Sequence, residues 1–126
     1  MRSSYDSRYL PPAPCVEFRL SVPEQAFSGA TLRALVDTGA DATIVPFRYI
    51  RPFGLQVDNR KYLRSQFGER VKVDVYLLDV GIADIRLPLM EIIADEISNE
   101  ILVGRNVLNR LMMVLDGPRQ ILELSG

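Results

Sequence analysis

The sequence contains no histidine. That absence removes His-ligated zinc sites and every Ser-His or Cys-His nucleophile pair. Cysteine occurs once, at Cys15, so an intrachain disulfide framework is excluded and a reducing, cytoplasmic compartment is expected. No apolar run approaches the roughly 18 residues of a helical membrane span, so no membrane partner is expected. Neither sign of charge dominates: 15 basic and 16 acidic residues leave no broad electrostatic footprint for nucleic acid. Residues 1–14 are polar and lack the apolar centre of an export signal, so export is not expected. Carboxylates, Lys, Tyr and one thiol remain for chemistry.

What is present suits a packed core. Hydrophobic residues make up 48% of 126 residues, a length that fits one domain. Pro11-Pro12-Ala13-Pro14 closes a polar stretch, and residues 1–14 read as a flexible or extended arm ahead of a domain at 15–126. Val16, Phe18, Leu20 and Val22 alternate with Glu17, Arg19 and Ser21, the period of a strand with one apolar face. Further strands are expected at Thr31–Val36, Thr43–Val45, Val71–Val80, Ile82–Leu89 and Glu91–Ala94, the last two separated around Pro88. Pro46–Pro52 has room for one helical turn. Val107, Leu108 and Leu111 at helical spacing predict a short helix over Arg105–Leu111. Met112–Leu115, an Asp116-Gly117-Pro118 turn and Gln120–Leu124 predict a C-terminal hairpin. Many short strands with one short late helix describe an all-β, barrel-like domain.

The densest signal is Leu35-Val36-Asp37-Thr38-Gly39-Ala40-Asp41-Ala42-Thr43-Ile44-Val45. Apolar runs on both sides place Asp37 at the mouth of a buried strand, on a turn. Gly39 lets the backbone bend, and the Thr38 hydroxyl can bond back to it. Asp-Thr-Gly alone is ordinary turn chemistry in β proteins. A second segment, Ile101-Leu102-Val103-Gly104-Arg105-Asn106, sharpens the signal.

Together the two motifs resemble the active-site loop and helix segment of the retropepsin-like aspartic proteases, in the same order and at similar spacing. The resemblance implies a retropepsin-like acid protease β-barrel with one short C-terminal helix. It implies Asp37 as catalytic carboxylate, with Thr38, Gly39, Ala40, Asp41 and Arg105 as loop and support, Arg105 pairing with Asp41. The pairing has a physical rationale, because a carboxylate near a barrel core is costly unless an Arg fork satisfies it. A flap hairpin is implied over Tyr62–Val73, with Gln66, Phe67 and Gly68 at its substrate-covering tip. This tip has one glycine where retroviral flaps carry several. The chain also continues past Leu115 into a further strand, as in the retropepsin-like domains of DNA-damage-inducible proteins. One catalytic loop per chain implies a homodimer, a peptide or protein substrate, and neither cofactor nor metal. Two readings follow: an aspartic endopeptidase, and a catalytically weak or inactive module of the same fold that binds peptides or assembles complexes.

Overall fold

Period-2 apolar patterning builds ten strands, two short α-helical turns and one 3-10 turn in the computed structural model, which describes all residues except 65 and 66. The strands are β1 (Arg2–Ser4), β2 (Cys15–Ser21), β3 (Leu32–Val36), β4 (Thr43–Pro46), β5 (Asn59–Arg64), β6 (Arg70–Ile82), β7 (Ile85–Asp95), β8 (Ile101–Val103), β9 (Met112–Asp116) and β10 (Ile121–Ser125). The helical turns are α1 (Phe47–Ile50) and α2 (Arg105–Leu108). Strands run in the order β2-β3-β8-β4-β7-β6, and β2 pairs with β6 to close a six-stranded barrel. β5 continues the sheet beyond β6 as a hairpin arm. Val16, Phe18, Val45, Leu78, Val80, Ile82, Ile92 and Val103 fill the interior, each at most 1% exposed. Burying each such side chain is worth about 1.5–3 kcal/mol. Among the described residues no helix is long and apolar enough to cross a membrane.

Three local expectations need correction. The first is the N-terminal arm. Arg2–Ser4 pairs antiparallel with β10, and Met1 and Leu124 exchange two hydrogen bonds of 2.9 and 2.8 Å. Its partner lies at the far end of the chain, so nothing in the local sequence reveals it. Asp6, only 6% exposed, then pins the following turn. Arg8 grips it through both side chain and backbone, Arg33 adds a 2.7 Å bond, and its carboxyl is held well below the usual range.

The second is Pro88, which does not split a strand. β7 runs through it, because Pro88 and Leu89 together oppose the single residue Asp79 across a bulge. Proline lacks an N–H, and a bulge is where a ladder can spare one. The third is the late helix, which ends at Leu108 rather than Leu111. Arg110 and Leu111 donate instead to Val107 and Leu108, tightening the chain into the C-terminal hairpin.

Asp79 explains why the bulge holds. It is 1% exposed and accepts from the N–H groups of Leu89 (2.9 Å) and Glu24 (3.1 Å) and from Arg86 Nε (2.9 Å). Leu89 and Glu24 are both left-handed, at φ +53° and +69°, a conformation that costs a non-glycine residue roughly 1 kcal/mol. Burial alone would raise the Asp79 carboxyl; the two N–H groups and Arg86 outweigh it and hold the group low. Arg86 in turn lies over the Phe27 ring at 4.4 Å, with Arg19 also on that ring at 5.0 Å.

Asp79→Ala should therefore cost about 3 kcal/mol in a urea titration, since two backbone donors lose their acceptor. The folded carboxyl lies below its unfolded value, so its stabilisation is complete above about pH 3.9 and fades as pH falls through the folded value. The variant should accordingly lose less stability than the parent on acidification below that point. A second test concerns Gly104. A Cβ there would stand 2.1 Å from the Ala42 carbonyl oxygen and 2.4 Å from its carbon. Backbone cannot yield as a side chain can, so Gly104→Ala should lose about 3 kcal/mol or more. An unchanged denaturation midpoint would refute the contact.

Candidate active site

Strand order decides where Asp37 goes. β3 and β4 are consecutive in sequence, yet β8 lies between them, parallel to β3 and antiparallel to β4. Residues 37–42 therefore cannot form a tight hairpin and must arch over the end of β8. The arch is held from below by backbone. Asp37 N–H donates to Val103 O at 3.0 Å, and Arg105 N–H donates to Ala40 O at 2.8 Å. Within the loop, Ala40 N–H donates to Asp37 O at 3.2 Å. Gly39 N–H donates to Asp37 Oδ1 at 3.0 Å, which orients the carboxyl group. Asp37 is half-buried; Thr38, Gly39 and Asp41 are exposed. The result is a fixed carboxylate on a rigid arch, with one face open.

Arg105 reaches this arch differently from the expectation. Its Nη1 donates to Thr38 O at 2.9 Å, and among the described residues no ion pair joins it to Asp41. The expected pair came from the family resemblance, with burial of Asp41 as its physical rationale. The arch lifts Asp41 into solvent, where a carboxylate needs no partner.

Two supporting residues escaped the sequence reading. Thr43, fully buried, accepts from Gly104 N–H at 3.1 Å and donates to Asn106 Oδ1 at 2.7 Å. Asn106 Nδ2 passes the chain on to Glu91 O at 3.0 Å. This relay ties the loop's exit strand to α2 and β7. A hydroxyl at an inward strand position and an Asn beside Gly104-Arg105 were the available signals.

The segment expected as a flap forms the hairpin of β5 and β6. Its register runs from Asn59↔Val75 to Arg64↔Arg70. Phe67 is 83% exposed at the tip, and Gly68 has φ +83°, which glycine alone adopts freely. Gln66 lies outside the described residues. Beside the hairpin, Ile44, Leu63, Val71, Val73, Ile93 and Ala94, with Arg64 and Asp95, line a largely apolar pocket of about 250 Å³. Neither this pocket nor a larger cleft of about 430 Å³ by α1 and residues 95–99 is lined by Asp37, the rest of its loop, Arg105 or the hairpin tip. Among the described residues no three His, Cys, Asp or Glu side chains converge as metal ligands would.

Comparison with known proteins agrees with this geometry. The family profile described as "gag-polyprotein putative aspartyl protease" matches residues 24–110, which span the arch, the hairpin and α2. No curated protein sequence matches the chain. Among solved structures, the chain is similar to a retropepsin-like aspartic protease from Rickettsia conorii, with a TM-score of 0.65 over 100% of this chain and 92% of that one. At 14% identity, that likeness establishes the fold. The matched span contains both motifs and the crossing that joins them, and the chain belongs to the gag-polyprotein aspartyl protease family, with a retropepsin-like fold.

Proposed function

We propose that this chain is an aspartic endopeptidase that works as a homodimer, with one Asp37 from each copy forming the catalytic pair. The observation that carries the reading is the Asp37 carboxyl itself: oriented by Gly39 N–H, mounted on a hydrogen-bonded arch and open on one face. One chain supplies one such carboxylate, and the chemistry of the family uses two.

The exposed surface supports a second copy as the partner. β9 is an edge of the β1-β10-β9 sheet and carries Met112, Val114 and Leu115 at 67%, 49% and 43% exposure. An unpaired edge bearing apolar side chains invites a further strand. An isologous contact would use the same edge on both copies.

In such a dimer two carboxylates about 3 Å apart cannot both ionise, so they share one proton. The ionised member takes a proton from water, which attacks the peptide carbonyl. The protonated member donates to the developing oxyanion, and collapse expels the amine. The hairpin tip at Phe67 and Gly68 would close over the substrate, while Thr38 would bond across to the opposite arch. The free, buried Cys15 thiol is in keeping with a reducing cytoplasmic location.

Asp37→Asn should lower peptide turnover roughly a thousandfold or more while leaving the thermal midpoint unchanged or higher. Wild-type turnover in that variant would remove Asp37 from the mechanism; peptide binding without turnover in the parent would favour the non-catalytic module. Activity should peak at acidic pH and fall on both sides, because only the singly protonated pair is competent. Sedimentation at micromolar concentration should give a dimer, and a strictly monomeric species that still cleaves peptide would refute the shared site.

A further inference from the structure

The hairpin over the cleft has two unlike faces. Pairing places Leu63 opposite Val71 and Lys61 opposite Val73 on the inner face, above the apolar pocket. The other, outer-facing ladder is Arg60↔Asp74, Tyr62↔Lys72 and Arg64↔Arg70, with Arg64 also at the rim of that pocket and Lys72 and Asp74 at the rim of a second one lined by Asp95 and Glu96. At its base Arg60 Nε bonds Asp74 at 3.1 Å, so that charge is answered. Towards the tip the balance changes. Arg64, Arg70 and Lys72 are all exposed and make no ion pair with the described residues. Arg70 lies over the Tyr62 ring at 4.7 Å, which fixes its direction without neutralising it.

Two features set this patch apart from an ordinary solvated face. Arg64 and Arg70 are direct cross-strand partners, and like charges in that position destabilise a hairpin. Residues 59–75 hold Arg60, Lys61, Arg64, Arg70 and Lys72 against Glu69 and Asp74, in a chain whose net charge is −1, so the hairpin is a local excess of positive charge. An anion placed between Arg64 and Arg70 would remove their repulsion, and Lys72 would extend the contact along the strand.

We propose that the outer face of this hairpin is an exosite for an acidic polypeptide stretch, the acidic segment of a substrate that threads the cleft beneath. The assignment of that segment to a substrate rests on the protease reading above; the docking surface does not. A peptide is the fitting occupant because the patch is short and the chain's near-balanced charge gives no broad positive footprint of the kind that tracks a nucleic-acid backbone. Charge attraction of this kind raises capture more than it changes the chemical step.

The test is fluorescence anisotropy on the Asp37→Asn chain, where cleavage cannot deplete the probe. The probes are a labelled oligoglutamate peptide, an oligoglutamine peptide of equal length and a single-stranded oligonucleotide of equal charge. The oligoglutamate should bind about tenfold tighter than oligoglutamine at low salt and lose that advantage at high salt. Combined Arg64→Gln, Arg70→Gln and Lys72→Gln substitutions should abolish the preference, and Lys72→Glu alone should reduce it. Arg119→Gln, on the turn between β9 and β10, should leave it unchanged. Equal binding of the two peptides overturns the proposal. Retention of the preference in the triple variant does so too, as does equal affinity for the oligonucleotide. Acidic-peptide preference in a chain whose parent shows no proteolysis would keep the exosite and discard the endopeptidase reading.

Discussion

Where β8 ends beneath the Asp37 arch, Gly104 lies so close to Ala42 that no side chain fits between them. That contact brings three donors within reach of their acceptors: Gly104 N–H to the Thr43 hydroxyl, Arg105 N–H to Ala40 O, and Asp37 N–H to Val103 O. A loop whose residues mostly face solvent would ordinarily be loose. This one has its backbone groups answered from below, so its exposed side chains sit on a fixed frame. Rigidity of that kind is what a catalytic carboxylate requires, because a misplacement of about 1 Å can cost about a hundredfold in rate.

The longer strands were legible where their signal was local, whereas the three-residue strands β1 and β8 were not read as strands. Alternation in Val16–Ser21 and the long β-rich run after Arg70 gave strands, and the Asp116-Gly117-Pro118 turn gave the last hairpin. The two motifs around Asp37 and Gly104 are the segments that the fold brings together at the arch. What the sequence hid was non-local. The insertion of β8 between β3 and β4 joins segments about sixty residues apart, and the pairing of β1 with β10 joins the two ends of the chain. The continuation of β7 through Pro88 depends on a buried Asp79 whose partners include, besides Arg86 and Leu89 of β7 itself, the N–H of Glu24 fifty-five residues away. No window of local sequence contains those relations.

The Asp41–Arg105 pair illustrates the same point from the side of energetics. Apolar neighbours in sequence suggested burial, and burial would have demanded a counter-ion. The arch instead raises Asp41 clear of the core, and an exposed pair at that position would be worth at most about 1 kcal/mol. The guanidinium does more by donating to the Thr38 carbonyl, since that bond fixes the residue adjoining the carboxylate. A charged residue here acts through backbone geometry rather than charge neutralisation.

The hairpin above the cleft divides its work by the period of a strand. Leu63, Val71 and Val73 lie on one face and line an apolar pocket with Ile44, while Arg70 and Lys72 alternate with Val71 and Val73 on the other. A shift of one residue in register would exchange the two faces. The Arg60–Asp74 and Lys61–Glu91 bonds oppose such a slip, because each fixes a β5 side chain to a defined partner. Towards the tip the like-charge pair Arg64↔Arg70 opposes the pairing, while Arg70 over the Tyr62 ring at 4.7 Å ties the two strands together there. Among the described residues the hairpin's ion pairs therefore lie at its base, where it joins the barrel.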